Sequence, residues 1–351
     1  MNAVVANGSE MADGLAHRLP AEIGNVASEA LARLDRTEDI RFSPSKRRLA
    51  LAGFTRNCCT VFDVAIDRSG PRPIIRIDSY IELRCDAFRQ PHGFDFIDET
   101  TLVVANRAGL AVIVAIPDRV GEERRVTVSP LRTIRHVAPF HRLKTPGSVC
   151  VAGRSRSSAT LLVCNNYQHR VSRHVVGLTR LPVIPRNRIL LRHGLDIPDG
   201  IAMSGDRRWI AVSSHGSHQV LVYDAHRRLG PASHADGELA GVIYPHGLRF
   251  SANGSRLFVA DAGAPHVHVY EAPGGDWRGR RAPSATIRVL DEATFLRGRA
   301  NPQEGGPKGL DIDDRDEILA ITCEEQPLAF FHLPSQLASA ERGAQPSLLA
   351  D

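Results

Sequence analysis

A phrase of three short apolar segments recurs six times along the chain, and this repeat constrains the fold more than any other feature of the sequence. Its clearest copy, residues 245–271, reads PHGLRFSANGSRLFVADAGAPHVHVYE. The Asn253-Gly254 pair suits the positive φ angles of a hairpin turn, so this copy predicts a strand, a tight turn, a second strand, a loop and a third strand. Equivalent copies begin near residues 38, 91, 146, 198, 245 and 307.

A unit of about 50 residues with three or four short strands is typical of a propeller blade, whereas a helical solenoid would need an apolar period of about 3.6 residues. The second segment of each copy is apolar at consecutive positions, as in LVVA, WIAVS and RLFVA. Strands buried between two neighbouring layers have this pattern. The repeat therefore predicts an all-β, six-bladed β-propeller of four-stranded antiparallel blades around a central channel, with seven blades as the alternative.

The same register predicts the limits of the domain. We expect one propeller over residues 23–334, preceded by a flexible N-terminal segment, residues 1–22, and followed by a C-terminal tail, residues 335–351. Because the sixth copy is followed by no further strand pattern, a strand within residues 23–34 is expected to close the last blade and remove its exposed edge. Outer strands are predicted at residues 74–83, 126–134, 188–191 and 285–290.

Composition excludes several classes of protein. The longest apolar run, residues 110–116, is far shorter than the roughly 18–20 residues of a membrane-spanning helix. The N-terminus lacks the pattern of a secretory signal, so we expect a cytoplasmic protein that does not act at a membrane. A net charge of +5 over 351 residues is mild, and nucleic acid is not the expected partner. Six cysteines without a CxxC pair predict reduced, buried thiols rather than a zinc finger or a disulfide scaffold.

The position just before the inner strand of each copy has a special place in a propeller. Because inner strands run in the same direction along the channel, the side chains at this position should gather at one mouth. The six residues are Glu38, His92, Gly147, Asp199, His246 and Lys308. Two imidazoles and two carboxylates, from Glu38, His92, Asp199 and His246, form a ligand set for a divalent ion such as zinc, calcium or magnesium.

Structural roles remain open for the same residues. His92 and His246 recur in the same PHG phrase, so a shared role in stabilising the turn competes with metal ligation. Lys308 either forms an ion pair with the carboxylates or binds an anionic substrate.

A second set of equivalent residues follows the second strand of each copy. Asn106, Asn165 and Ser214 are candidates for substrate binding, and Asp261 is a candidate catalytic residue. Turns in which such side chains bond to the backbone are the alternative. No glycine-rich phosphate loop is present in the sequence, so we expect no nucleotide cofactor.

The copies at residues 198–224 and 245–270 resemble the six- and seven-bladed propellers of the NHL-repeat, gluconolactonase (senescence-marker) and phosphogluconolactonase-like superfamilies, and the resemblance extends loosely over residues 38–333. In gluconolactonase-like propellers a Glu, an Asn and an Asp bind the metal, and an Asp from the adjoining region is the base. Glu38 and Asp199 match residue types of that pattern. The expected Asn is replaced by Gly147 or His246, and the order of the blades differs.

The leading expectation for function is a lactonase-type enzyme that hydrolyses a small polar metabolite at the channel mouth with the help of a divalent ion, or that carries out lyase or isomerase chemistry there. Asp199, His246 and Asp261 are the candidate catalytic residues, and Lys308 is a candidate for binding substrate.

The alternative is a non-catalytic, NHL-like propeller that binds a protein or a nucleic acid through loop arginines. These are Arg154, Arg156, Arg170, Arg173, Arg278, Arg280 and Arg281. A convergent polar ring would favour the enzyme, and an apolar plug in the channel would favour the binding protein.

Overall fold

Six antiparallel sheets form a ring in the computed structural model, which describes residues 14–118, 124–139, 141–179 and 186–343. The predicted six-bladed propeller is confirmed. The strands nearest the axis contact one another in sequence order, and the last contacts the first, so the ring is closed. No helix among the described residues has the length and apolar character needed to cross a bilayer.

The first three blades are built by the N-terminal half of the chain. Its strands are β1 (Ala21–Ile23), β2 (Thr37–Phe42), β3 (Arg48–Gly53), β4 (Cys58–Asp67), β5 (Ile74–Arg84), β6 (Pro91–Asp98), β7 (Thr101–Asn106), β8 (Ala111–Ala115), β9 (Arg125–Thr127), β10 (Arg132–Ile134), β11 (His136–Ala138), β12 (His141–Arg142), β13 (Pro146–Arg154), β14 (Ser158–Asn165), β15 (Arg170–Gly177) and β16 (Arg188–Leu191). From the axis outward, the blades are β2-β3-β4-β5, β6-β7-β8-β10 and β13-β14-β15-β16.

The other three blades follow in the same way. Their strands are β17 (Pro198–Met203), β18 (Trp209–Ser214), β19 (Gln219–Asp224), β20 (Gly237–Leu239), β21 (Pro245–Phe250), β22 (Arg256–Asp261), β23 (His266–Glu271), β24 (Gly279–Arg281), β25 (Ala285–Arg288), β26 (Gly309–Ile312), β27 (Ile318–Thr322) and β28 (Ala329–His332). These form β17-β18-β19-β20-β24, β21-β22-β23-β25 and β26-β27-β28. Three α-helices are present in the described residues, namely α1 (Asn25–Arg33), α2 (Glu292–Gly298) and α3 (Leu333–Gly343).

The predicted outer strands correspond largely to β5, β16 and β25. The expectation for residues 126–134 holds only in part, because β10 completes the second blade while β9 pairs in parallel with β5 of the first blade. The second strands β3, β7, β18, β22 and β27 are buried almost throughout, as their apolar runs predict. All six cysteines are buried and free.

The last blade has three strands, and the N-terminal segment supplies the rest of its outer edge. Arg18 forms an antiparallel bridge with Phe331, and the backbone N–H of Leu19 donates to the carbonyl of Phe330 at 2.8 Å. The placement of the closing strand within residues 23–34 is wrong, because α1 occupies most of that segment. The spacing of Ala27, Ala30 and Leu31 puts three buried apolar side chains on one face of a helix.

The two flanks are described in part. Residues 1–13 of the predicted flexible segment lie outside the described residues, whereas residues 14–22 include a 3₁₀ turn (Gly14–His17), the bridge at Arg18 and the start of β1. Helix α3 covers the beginning of the predicted tail, and residues 344–351 also lie outside the described residues.

The glycine in the PHG, PDG and PKG phrases lets neighbouring inner strands approach closely around the axis. A Cβ atom at Gly200 would overlap the carbonyl oxygen of His246 in the next blade. The equivalent glycines also face the backbone of the following blade, and they are Gly93, Gly247 and Gly309. The close approach of the inner strands therefore depends on the absence of a Cβ atom at these four glycines.

We expect Gly200→Ala to lower the free energy of unfolding by about 3 kcal/mol, because a methyl group placed against a backbone carbonyl forces two inner strands apart. Urea denaturation followed by tryptophan fluorescence measures the change. Gly230→Ala is the matched control, since no atom lies within 4 Å of its added Cβ, and its effect should stay within about 0.5 kcal/mol. Equal stability of the two variants would contradict the close-packing role of Gly200.

Candidate metal centre

The fold brings five of the six predicted ring residues together as buried polar side chains at one mouth of the channel. Glu38, His92, Asp199 and His246 lie at the starts of the inner strands β2, β6, β17 and β21 and line a cavity of about 10 Å³. Lys308, just before β26, is buried as well. A space of this size holds at most a single ion or water molecule.

The four candidate ligands face one another across this space. The Nε2 atoms of His92 and His246 lie 3.5 Å and 3.6 Å from Oε2 of Glu38. Asp199 completes the group, with Oδ2 3.4 Å from Nε2 of His246 and Oδ1 3.9 Å from Nε2 of His92. The two imidazole rings stack with their centroids 5.1 Å apart.

The other ring nitrogen of each histidine is bonded to the backbone of the next blade. Nδ1 of His92 donates to the carbonyl of Gly147 at 2.9 Å, and Nδ1 of His246 donates to the carbonyl of Lys308 at 3.0 Å. Because a carbonyl oxygen only accepts, Nδ1 carries the proton and Nε2 of the neutral ring faces the cavity as an acceptor. The turn-stabilising role and a ligand role are therefore compatible, and metal-binding histidines commonly have this second bond.

The two oxygens of Glu38 are bonded differently. Both lie 3.4 Å from Nζ of Lys308, and Oε1 also accepts a hydrogen bond from Arg36, whereas Oε2 is buried and accepts no hydrogen bond among the described residues. Ligand atoms around a tetrahedral zinc ion lie about 3.3 Å apart. The separations of 3.5 Å and 3.6 Å from Oε2 of Glu38 to the two Nε2 atoms fit such a site once the guanidinium of Arg107, which lies 2.6 Å from Nε2 of His92, moves away.

The ionisation of the group suits a cation. Burial opposes the charge on Glu38, but Lys308 and the other neighbouring cations outweigh it and hold the pKa of Glu38 well below its ordinary value. Burial also opposes the charge on Asp199, and His246 and Arg107 outweigh it, so that its pKa is low too. Burial and the nearby Arg107 lower the pKa of His92 to about 3. At neutral pH the site holds two carboxylates and at least one neutral imidazole, the forms that bind metals.

Residues one position beyond the predicted second set also face the site, and the sequence reasoning missed them. Arg107 has a guanidinium nitrogen 2.6 Å from Nε2 of His92 and 3.4 Å from Oδ1 of Asp199. Glu324 lies 2.6 Å from Nζ of Lys308. Each lies one residue after a position equivalent to the predicted second set. Taking the next residue of every copy would therefore have identified both.

Asn166 is the third of these residues, and it takes the place that Gly147 leaves empty. A Cβ atom at Gly147 would overlap the side chain of Asn166. The amide Nδ2 of Asn166 donates to Oδ1 of Asp199 at 2.5 Å, while its Oδ1 is buried with no hydrogen-bond partner among the described residues. The third blade therefore contributes an amide to the ring through its loop rather than through its inner strand.

The predicted substrate-binding residues Asn106, Asn165 and Ser214 are bonded to neighbouring loops and strands. Asn106 accepts from the backbone N–H of Arg89 at 3.1 Å and donates to the carbonyl of Leu110 at 2.7 Å. Asn165 donates to the hydroxyl of Ser172, and Ser214 accepts from the backbone of Asp196. None of the three lines the small cavity, and their binding role stays a prediction.

Asp261 is held in the same way. Its carboxylate accepts from the backbone N–H groups of Ile243 and Tyr244 at 2.8 Å and 2.9 Å and lies 3.1 Å from Nε2 of His268. It does not line the cavity, and its catalytic role is likewise a prediction. Lys308 is ion-paired with Glu38 and Glu324, which matches the ion-pair alternative, and its contact with substrate stays a prediction.

No protein-family model matches the chain, and no curated protein matches it. The lactonase-type propellers therefore remain a resemblance in the repeat.

Proposed function

We propose that this protein is a metal-dependent hydrolase of lactonase type, with its active site at this channel mouth. The observation that carries the proposal is the convergence of two Nε2 atoms, from His92 and His246, on the buried Oε2 of Glu38, which is ion-paired with Lys308 but accepts no hydrogen bond among the described residues. The polar ring favours an enzyme over a propeller whose channel is filled by apolar side chains. Asn166 adds support, because it supplies the amide that the gluconolactonase pattern expects beside Glu38 and Asp199.

Glu38, His92 and His246 would hold the ion, since their ligand atoms lie within 4.8 Å of one another. A divalent ion held by three protein ligands supplies a Lewis acid for a carbonyl oxygen and lowers the pKa of a bound water molecule. In this assignment the three residues would hold the ion in place, and Asp199, which is not a ligand, would accept or donate a proton.

Asp199 is the candidate general base. Its Oδ1 is held by Asn166 and faces Arg107, while its Oδ2 points to the space beside His246. The low pKa keeps the carboxylate ionised at neutral pH, which is the form that accepts a proton from an attacking water molecule, and it also makes Asp199 a weak base while Arg107 faces it. The same base would serve elimination or isomerisation of a substrate that has an acidic C–H bond.

Arg107 is the candidate substrate-orienting residue. Its side chain is 17% exposed, and its guanidinium lies 5.4 Å from the ring centre of the exposed Tyr167. A cation and an aromatic ring at the open side of the site suit a small polar metabolite with an anionic group.

The proposal is tested by metal analysis together with a substrate panel. Purified protein is stripped with a chelator and reloaded separately with zinc, manganese, calcium or magnesium, and the ions per chain and the hydrolysis of aliphatic and sugar lactones are measured. We expect a single ion per chain and lactone hydrolysis that depends on it. Absence of stoichiometric binding and of thermal stabilisation with all four ions would overturn the proposal.

A further inference from the structure

A second concave site lies between the third and fourth blades, at the end of the strands away from the metal centre. Strand β17 starts at the ring with Asp199 and ends at Met203, which lines this cleft. Arg207, in the turn after β17, points its guanidinium to within 3.8 Å of the place where Gly153 of the third blade would have a Cβ. The cleft has a volume of about 360 Å³, within the range of small-molecule sites.

Five arginines line the cleft, and few neighbouring carboxylates pair with them. Its cationic side chains are Arg173, Arg188, Arg207, Arg227 and Arg228. Arg227 is paired with Asp236, and Arg188 donates to the carbonyl of Leu229 at 2.8 Å. In the part of the chain that the structure describes, no carboxylate pairs with Arg173, Arg207 or Arg228.

Arg173 is the most enclosed of these groups. It is half-buried, and burial together with the nearby Arg188 and Arg186 lowers the pKa of its guanidinium. Arg207 and Arg228 are exposed to solvent, so the free-energy cost of the like charges falls mainly on Arg173, and a bound anion would offset it.

Two other basic cavities among the described residues have carboxylates in or beside their lining. A cavity of about 580 Å³ beside Lys46 includes Arg48 and Arg68, but Arg68 is paired with Asp313 and Glu317. In a third cavity, Arg154 is paired with Asp98, which lines the same space. The cleft between the third and fourth blades differs from these two cavities because five arginines and no acidic side chain line it.

The floor of the cleft is apolar. Its side chains include Leu162, Leu190, Met203, Ile210 and Leu229. A ligand with an anionic group and a small apolar body would contact both parts of this lining. The concave shape and apolar floor favour a small molecule over the extended backbone of a nucleic acid.

We propose that this cleft binds a small organic phosphate, with the phosphate facing Arg173, Arg207 and Arg228 and the apolar body on Leu190 and Ile210. A planar guanidinium group can donate two hydrogen bonds to two oxygens of the same phosphate. A phosphate dianion balances the charge of several arginines better than a carboxylate monoanion does. The site is separate from the metal centre and goes beyond the proposed hydrolase activity.

Isothermal titration with phenyl phosphate as the probe tests this inference. We expect phenyl phosphate to bind at least about tenfold more tightly than inorganic phosphate, because the ring covers the apolar floor, and phenol not to bind. Arg173→Gln and Arg207→Gln should each weaken binding of phenyl phosphate by at least about tenfold, since each removes a charge-assisted hydrogen bond.

Arg315→Gln is the matched control, because it removes the same charge from an exposed turn between β26 and β27. Circular dichroism and ion content of each variant should equal those of the unchanged protein, which separates this site from the metal centre. Failure of phenyl phosphate to bind, or equal binding by the Arg173→Gln and Arg315→Gln variants, would overturn the inference. Tighter, cleft-dependent binding of a single-stranded oligonucleotide would overturn it in favour of a nucleic-acid site.

Discussion

His246→Gln is expected to weaken binding of the divalent ion by more than about 100-fold, so that the purified variant retains no stoichiometric metal. Loss of a partner that only orients a ligand commonly costs about 10–100-fold in metal affinity, and loss of a ligand atom costs more. Nε2 of His246 lies between Oε2 of Glu38 and Oδ2 of Asp199, at 3.6 Å and 3.4 Å. Removing it takes away the imidazole nitrogen that lies between the two buried carboxylates and that would bind the ion together with Glu38.

Ion content by mass spectrometry and direct titration of the stripped protein measure the effect. His226→Gln is the matched control, because His226 is exposed and follows β19 at the other end of its blade. His92→Gln should also weaken ion binding, since Nδ1 of each histidine is bonded to a backbone carbonyl and Nε2 of each faces Oε2 of Glu38. A His246→Gln variant that keeps a full ion per chain would show that the metal lies elsewhere.

Asp199→Asn is expected to lower kcat for lactone hydrolysis by about 10²–10⁴-fold while the ion stays bound. Removal of a positioned general base commonly has an effect of this size, and an amide cannot accept the proton. The neutral amide preserves the shape of the side chain and its contact with Asn166, which lies 2.5 Å from Oδ1. KM should change little, because Arg107 rather than Asp199 is assigned to orient the substrate.

The measurement combines steady-state kinetics with ion content on the same samples. Asp314→Asn replaces an exposed aspartate in the turn after β26 and serves as the control. Loss of the ion together with activity would make Asp199 a metal ligand rather than a base. Unchanged kcat would exclude Asp199 from the proton transfer.

The sequence predicted the ring because blades related by rotation place equivalent positions at equivalent points around the channel. Glu38, His92, Asp199, His246 and Lys308 were found in this way, and all five are buried at one mouth. For the second set, the same reasoning did not identify the residue one position further along, and the roles predicted for the set itself stay predictions. Asn106, Asn165 and Ser214 bond to neighbouring loops and strands, while the residue after each turns toward the axis, as Arg107 and Asn166 do.

The sequence pattern predicted secondary structure less well at the ends of the chain than in the repeats. Residues 23–34 were expected to form a strand, but the spacing of their alanines and leucines suits the amphipathic helix α1. The outer edge of the last blade is instead met by Arg18, whose pairing with Phe331 joins positions far apart in the chain. No short-range signal marks such a long-range pairing.

By itself, the sequence determined that this protein is a ring of six similar blades and that the position before each inner strand faces the channel, because repetition converts directly into rotational equivalence. Contacts between different blades were decided only in the tertiary structure. Asn166 fills the gap at Gly147, the histidines bond to carbonyls of the next blade, and Arg207 reaches across to the third blade. These features depend on contacts between side chains and backbone groups of neighbouring blades. The repeat in the sequence does not encode the distances across the boundary between two blades.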